Sequence, residues 1–509
     1  MSQFIASGAR VVAIEDFQRN AARAASGFAT LGVGVGDAVA IVMRNDIPAL
    51  EAMAAIGLLG AYSVPVNWHS TGEEAGYVIA DSGAKVVLAH ADLVPSLTGA
   101  IDPAVSVIAV ETPAEVRAAY GIPDSAVGVP EGLVAWSRWL EGFEPWTAEA
   151  ADSPGSMIYT SGTTGRPKGV RRAPASAADM EAMMRRAGQG FGLRPGMSAA
   201  LTGPLYHSAP NAYARLTLMA GGSLILMPRF DTVELLRLVA EHRLSHLHMV
   251  PTMFIRLLRL PQEVRERHDL SSLEYVIHGA APCPPEIKRQ MIDWWGPVIH
   301  EYYGSTEAGL ISIADSAESI ARPGTVGRPM AEIEVRILDD DGRPLGAGET
   351  GDIYVSLGSL TDFTYHNNDT KRREIERDGL ITNGDIGYLD DDGYLFLCDR
   401  KIDMVISGGV NIYPAEIEAV LIRMAGVHDC AVFGIPDPEF GEALAAAIEP
   451  MPGSGLSEAA VQAHMAEHLS RYKLPKLVTF HDAIPREDSG KVFKRKLREP
   501  YWKDAGRRI

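Results

Sequence analysis

Eleven consecutive residues, Tyr159-Thr160-Ser161-Gly162-Thr163-Thr164-Gly165-Arg166-Pro167-Lys168-Gly169, bring together four short-chain hydroxyls, three glycines and a lysine. Glycine permits positive φ and close backbone approach, so several N–H groups can line one concavity. The hydroxyls add donors or a metal contact, and Lys168 adds fixed positive charge. Such a surface suits a polyphosphate. It is not a Walker A loop, because Lys168 stands between Pro167 and Gly169 instead of in a Gly-Lys-Ser/Thr sequence.

Further runs follow in order: Pro204-Leu205-Tyr206-His207-Ser208-Ala209-Pro210, Tyr302-Tyr303-Gly304-Ser305-Thr306-Glu307, Thr382-Asn383-Gly384-Asp385-Ile386-Gly387, Asp399-Arg400-Lys401, Ser407-Gly408-Gly409-Val410-Asn411-Ile412-Tyr413-Pro414-Ala415-Glu416-Ile417-Glu418 and Ser489-Gly490-Lys491-Val492. Together with the glycine loop they resemble the adenylate-forming enzymes: acyl-CoA synthetases, aryl-CoA ligases, luciferases and peptide-synthetase adenylation domains. The matches span most of the chain.

The resemblance implies a division of labour. Thr160, Ser161, Gly162, Thr163, Thr164, Gly165 and Lys168 would hold the ATP phosphates. Gly279, Ala280 and Ala281 would supply backbone around the adenine, with Tyr303 against it. Thr306 would bond the α-phosphate, and Glu307 with Thr163 would bind Mg2+, since a carboxylate facing phosphates needs a hard cation between them. Asp385 and Arg400 would take the ribose. His207 occupies the position of the acyl-site gating residue, and the aspartate that holds an amino group in amino-acid-activating relatives is missing. Tyr213, Met253, Phe254 and Ile311 are candidate apolar walls. Lys491 would bridge the carboxylate and the α-phosphate, as a mobile point charge can. Gly408 and Gly409 would let pantetheine pass close to backbone, and Phe440 and Lys476 would meet the rest of coenzyme A.

The implied activity is an ATP-dependent acyl-CoA synthetase. It would join a hydrophobic monocarboxylic acid (fatty, aryl or alicyclic) to AMP, then transfer the acyl group to CoA with release of AMP and pyrophosphate. A stand-alone protein that loads an acyl carrier protein shares every ATP motif and is the alternative, although nothing after Lys491 reads as a fused carrier domain. A luciferase-type oxygenase shares the first step, and a non-catalytic nucleotide sensor conflicts with the full set of motif residues. One departure concerns the pivot of the small domain. Two residues after Arg400, where the family has Asp or Lys, stands Ile402, so Lys401 and Ile402 are equal candidates for the hinge.

Composition sets the bounds. A chain of 509 residues exceeds one ordinary core. A net charge of −18 argues against nucleic acid as the main partner. The charge is uneven: from Arg471 to Ile509 there are 12 Lys/Arg against 5 Asp/Glu, which reads either as a solvated tail or as a region meeting polyphosphate. Cys283, Cys398 and Cys430 lack metal-ligand spacing and imply reduced thiols. The N-terminus lacks a basic segment followed by an apolar one, and Ala52–Val66 is too short for a span, so a cytoplasmic protein without a transmembrane segment is expected. A homodimer is common in the family.

The elements that must position these residues are legible in outline. Ile14, Phe17, Ala21, Phe28 and Leu31 recur at helical spacing, and residues 49–59 and 233–242 read as further helices. Short apolar strands are predicted at 38–43, 85–89, 222–227, 246–250 and 275–277, alternating with helices as a parallel sheet requires. From Glu332 the texture turns to hairpins, with Asp340-Asp341-Gly342 and Asp391-Asp392-Gly393 as turns and not calcium loops. Beyond Arg400 comes a smaller unit with helices at 412–424 and 459–469 and a strand at 430–435. The expected architecture is an α/β large N-terminal domain (layered sheets with helices plus a distorted β-barrel), residues 1–399, followed by a small mobile α+β C-terminal domain, residues 400–509.

Overall fold

A computed structural model describes residues 3–160, 167–408, 410–486 and 491–503. The strands organise into five sheets. The largest has nine strands. Six run parallel in the order Ile299–Ser305, Tyr275–His278, His246–Met249, Ser198–Leu201, Ser223–Leu226 and Phe4–Ser7. Antiparallel strands close its edges: Gly309–Ala314 and Arg328–Pro329 on one side, Arg10–Ala13 on the other. A second, fully parallel sheet joins Tyr62–Pro65, Ala38–Val42, Ala84–His90 and Ser106–Val110. These strands are almost continuously apolar and buried, as sheets covered on both faces must be.

Alternation along the nine-stranded sheet splits the core. Ala199, Leu201, Leu224, Leu226, Ile277 and Tyr302 point to one face, where helices Ala177–Phe191 and Ser208–Met219 pack. Ala200, Ile225, Leu247, Met249 and Val276 point to the other, under helices Thr232–His242, Pro251–Leu258 and Pro285–Trp295.

Between Val335 and Arg400 the strands pair antiparallel. Val335–Leu338, Gly351–Val355, Leu380–Leu389, Glu376–Arg377 and Leu395–Arg400 form a curled half-barrel, the counterpart of the distorted barrel expected. The two Asp-Gly clusters are hairpin turns, closed by Gly342 N–H donating to Asp339 O and Gly393 N–H to Asp390 O. Phe363–Tyr365, Lys168–Arg172 and Ile158–Thr160 form a three-stranded sheet of their own.

The C-terminal domain has its own five-stranded sheet, in which Val427–Asp437 and Gly441–Pro450 are the long strands. Its core gathers Val405, Ile412, Ile417, Val432, Ile448 and Met465. The helix expected at 412–424 is shorter, Pro414–Leu421. Ile412 instead pairs with Val405 in a hairpin, and Pro414 opens the helix because its fixed φ and missing N–H suit a first turn. Cys283, Cys398 and Cys430 are all free thiols. Among the described residues no helix is long and apolar enough to cross a membrane.

Candidate active site

The predicted nucleotide residues converge from separate sheets. Asp385 and Arg400, fifteen apart in sequence, are cross-strand partners in the hairpin Leu380–Leu389/Leu395–Arg400. Arg400 Nε lies 3.3 Å from Asp385 Oδ1, and Tyr303 OH donates to Asp385 Oδ2 at 2.6 Å. Burial, reinforced by the Asp385 charge, pushes the Tyr303 phenol well above its ordinary pKa, so it remains a donor. Arg400 is half exposed, so its donors and those lone pairs can be shared with a ribose hydroxyl.

Strand Ile299–Ser305 delivers Tyr303, is bulged between Tyr303 and Gly304, and turns back after Ser305. A Cβ at Gly304 would sit 2.3 Å from the carbonyl oxygen of Gly309, so only glycine allows the strands to approach this closely. Thr306 and Glu307 occupy the turn. Thr306 Oγ1 donates to Ser208 Oγ at 3.0 Å, which sets Thr306 at the N-terminus of helix Ser208–Met219, with His207 as its N-cap. Exposed helix N–H groups and the aligned peptide dipoles favour an anion there. The His207 ring packs on Tyr206 at 4.5 Å between centroids.

Two arginines that the sequence analysis did not single out support this turn. Arg172 donates to the carbonyl oxygens of Thr306 (2.9 Å), Glu307 (2.5 Å) and Thr361 (2.8 Å). Burial pulls its pKa down to about 10, and the Glu307 charge offsets part of that. The buried Arg186 binds the carbonyls of Ala308 (3.2 Å), Leu310 and Leu357 (2.9 Å). Tyr365 was also missed: its OH donates to Glu307 Oε1 at 3.0 Å, and Lys168 Nζ stands 5.8 Å from its ring centre. Lys168 and Arg172 share one face of strand Lys168–Arg172, and burial, with the neighbouring Lys371, holds the Lys168 ammonium below its usual pKa. A partly buried cation beside a carboxylate-bearing turn is suited to phosphate, with the carboxylate facing any Mg2+ the phosphate brings. Among the described residues no group of three or more His, Cys, Asp or Glu could hold a metal alone, so a hard cation here would rely on Glu307 together with phosphate oxygens and water.

Gly279, Ala280 and Ala281 follow strand Tyr275–His278. A Cβ at Gly279 would meet the Tyr302 ring at 2.5 Å, and Ala280 adopts φ 67°, a strained conformation for a side-chain-bearing residue. Thr160 ends strand Ile158–Thr160 and pairs with Lys168. Ser161, Gly162, Thr163, Thr164, Gly165, Gly409, Ser489 and Gly490 lie outside the described residues.

The candidate acyl walls do not form one surface. Tyr213 and Ile311 belong to the core on the inner face of the large sheet, whereas Met253 and Phe254 pack on the opposite face, Phe254 against His278 and Trp295. Helix Pro251–Leu258 covers that outer face, which turns both residues away from Tyr213.

In the C-terminal domain Gly408, Phe440 and Lys476 do come together. Gly408 N–H donates to Phe440 O at 2.9 Å, Lys476 Nζ lies 4.9 Å from the Phe440 ring centre, and Asp437 pairs with Lys476 at 2.6 Å. Gly408 has φ 58°, and a Cβ there would come within 3.0 Å of the exposed Phe440 ring. Lys491 is not in this group. It is exposed and follows the segment anchored where Arg486 pairs with Val492 and with Asp429. Asp429 and Asp437 stand near opposite ends of strand Val427–Asp437, roughly 26 Å apart at strand rise.

Residues 5–361 match the family of AMP-binding enzymes and residues 416–491 the AMP-binding enzyme C-terminal domain, so the chain belongs to the AMP-binding enzyme family, whose members are ATP-dependent and adenylate-forming. A feruloyl-CoA synthase of Amycolatopsis sp is 33% identical over 501 residues, 97% of this chain and 95% of that one. A 3-[(3aS,4S,7aS)-7a-methyl-1,5-dioxo-octahydro-1H-inden-4-yl]propanoyl:CoA ligase of Mycobacterium tuberculosis is 36% identical over 488 residues, 94% of this chain and 91% of that one. The protein is an AMP-forming acid–CoA ligase. ATP-bound MatB from Rhodopseudomonas palustris superposes with a TM-score of 0.84 at 28% identity, covering 99% of this chain and 97% of that one. The apo form of the same protein, covering 100% and 97%, gives 0.72.

Proposed function

We propose that the protein activates a hydrophobic monocarboxylic acid (fatty, aryl or alicyclic) as its acyl-adenylate and transfers the acyl group to CoA. The observation that carries this reading is that the backbone from Tyr303 to Glu307 joins two groups of contacts, Ser208, Thr306, Glu307, Tyr365 and Lys168 on one side and Tyr303, Asp385 and Arg400 on the other. It offers phosphate donors, one carboxylate and a ribose acceptor in the order an ATP molecule presents its parts. Lys168, Thr160 and the glycine loop hold the phosphates, Thr306 the α-phosphate, Asp385 and Arg400 the ribose, and Gly279 to Ala281 the adenine beside Tyr303. Mg2+, held by Glu307 and Thr163, would neutralise the pyrophosphate leaving group. Fixed donors of this kind stabilise the charge that develops as the carboxylate oxygen attacks the α-phosphorus and pyrophosphate departs.

The C-terminal domain supplies two groups that cannot serve one centre together, because they occupy opposite ends of one strand. Lys491 at the Asp429 end assists adenylation. Gly408, Gly409, Phe440 and Lys476 at the Asp437 end receive CoA, whose thiol attacks the acyl carbonyl and expels AMP. Rotation about Lys401 or Ile402, just past a domain boundary between 399 and 400, exchanges the two ends. Lys401 is anchored to Asp352 (2.8 Å) and Asp340 (3.3 Å), while the Ile402 carbonyl accepts from Arg498 at 3.2 Å. ATP and CoA as substrates support a cytoplasmic location. The two ligase relatives act on ring-bearing acids, which supports an aryl or alicyclic acid beside the fatty acids.

The test is incubation with ATP, Mg2+ and a panel of carboxylic acids, with and without CoA, measuring AMP and thioester. Acid-dependent AMP and acyl-CoA are expected. Acyl-adenylate that accumulates without thioester would redirect the acceptor to a carrier protein, and no acid-dependent ATP cleavage would refute the reading.

A further inference from the structure

Arg259 follows helix Pro251–Leu258 in the large domain and reaches across to the C-terminal domain, where its Nη2 donates to the backbone carbonyl of His428 at 2.5 Å. The negative charges of Asp429 and Glu449 act on the same guanidinium. Both carboxylates also bind the segment that precedes Lys491. Asp429 takes Arg486 in a two-pronged pair at 2.5 and 2.7 Å, and Glu449 Oε2 accepts from Ile484 N–H at 2.8 Å. Beyond that segment, Arg486 bridges to Val492, and Phe493 N–H donates to Pro485 O at 2.9 Å. Arg259 is thus tied to His428, the neighbour of Asp429, and Asp429 is tied through Arg486 to the bridge with Val492, the residue after Lys491.

Close to the pivot, the domains also meet where Asp399 Oδ2 accepts from Ala415 N–H at 2.9 Å. A pivot contact leaves rotation free, so a second anchor remote from it is what fixes an orientation. Arg259 meets the Asp429 end of strand Val427–Asp437, the end that bears Lys491. The Gly408–Phe440–Lys476 group is at the other end, with Phe440 42% exposed.

We propose that Arg259 is a positioning residue that pins the Lys491-bearing end of the C-terminal domain to the large domain for the acid-activation half-reaction. This rests on the adenylation reading above. The bond goes to a backbone carbonyl, so the guanidinium is the element that matters; the His428 ring pairs instead with Glu449, Nδ1 to Oε1 at 2.5 Å. When the domain rotates for thioester formation the pin is released, so that half-reaction does not need it.

The experiment compares the full chain with Arg259→Ala and Arg259→Lys. It measures acid-dependent ATP–pyrophosphate exchange, and separately thioester formation from supplied acyl-adenylate and CoA. A bond from a charged donor is of a strength whose loss lowers the exchange kcat about tenfold or more. The KM for ATP should hold, since its contacts lie within the large domain, and thioester formation should also hold. Arg259→Lys should recover part of the rate, because an ammonium can still donate to one carbonyl. Equal losses in both half-reactions would mark Arg259 as merely structural and overturn the proposal, as would unchanged exchange in Arg259→Ala. Absence of exchange in the unmodified chain would sink the adenylation reading and this inference with it.

Discussion

Replacing Arg172 by methionine tests whether the Thr306–Glu307 turn is held from behind. The stem of the side chain and its packing volume remain, while the guanidinium that binds three carbonyl oxygens is lost. Each bond from a charged donor contributes about 1.5–3 kcal/mol net, so three sum to roughly 5–9 kcal/mol. Bonds that share one guanidinium are not additive, so the expected destabilisation is smaller, about 2–4 kcal/mol. The effect on chemistry should be larger than the effect on stability, because Thr306 and Glu307 share the anchor. A shift of about 1 Å in groups that orient reacting atoms costs on the order of a hundredfold in rate. Urea unfolding and acid-dependent pyrophosphate exchange, measured on one preparation, read the two quantities. A folded Arg172→Met protein whose exchange stays within about threefold of the unmodified chain would refute the reasoning.

Gly304→Ala forces a Cβ to within 2.3 Å of a backbone oxygen, which nothing nearby can yield to without moving the hairpin. Overpacking of this kind costs about 1–3 kcal/mol, so a lower Tm and loss of exchange are expected; an unshifted Tm would contradict the close approach. Lys476→Ala should raise the KM for CoA about tenfold, equivalent to about 1.4 kcal/mol, and leave pyrophosphate exchange alone; a fall in exchange would place Lys476 in the wrong half-reaction. Asp399 is held up at about 6, chiefly by burial, with Lys494 acting in the opposite sense. A carboxyl whose folded pKa exceeds its unfolded value binds more protons when folded, so its favourable contribution is full below about 4 and is lost as pH rises through about 6. Urea midpoints of the unmodified chain should fall relative to Asp399→Asn across that window and run parallel to it above, and two curves parallel throughout would exclude the effect.

The parallel sheets were legible because each strand is a short apolar run that alternates with a helix of clear period. Ala38–Val42, Thr232–His242 and His246–Met249 lie within a residue or so of their expected limits. The start of the C-terminal helix was not, because Val410–Ile412 and the following helix are both apolar, and only the pairing of Ile412 with Val405 assigns that residue to a strand. Periodicity carries no information about a partner strand. The same limit explains the acyl walls. Met253 and Phe254 are apolar and close in sequence to the site-bearing strands, yet which face of the sheet a helix covers depends on chain crossovers that local pattern does not encode.

The site divides along the same line. Asp385 and Arg400 were brought together in the sequence by the family resemblance alone, and the structure sets them opposite one another across the hairpin that turns at Asp391-Asp392-Gly393. Arg172, Arg186 and Tyr365 were not marked in this way. Their acceptors lie 58 to 189 residues away, and each looks like an ordinary strand or helix residue with a polar end. Yet these are the groups that fix Thr306 and Glu307, since a turn at the end of a strand has too few main-chain bonds of its own to hold a carboxylate steady. The sequence motif therefore marks the residues that would touch ATP, whereas the rigidity those residues need comes from side chains recruited across the fold. A motif match alone would rank an Arg172 variant as neutral, and the contacts of its guanidinium argue that it is among the most damaging single changes outside the motif.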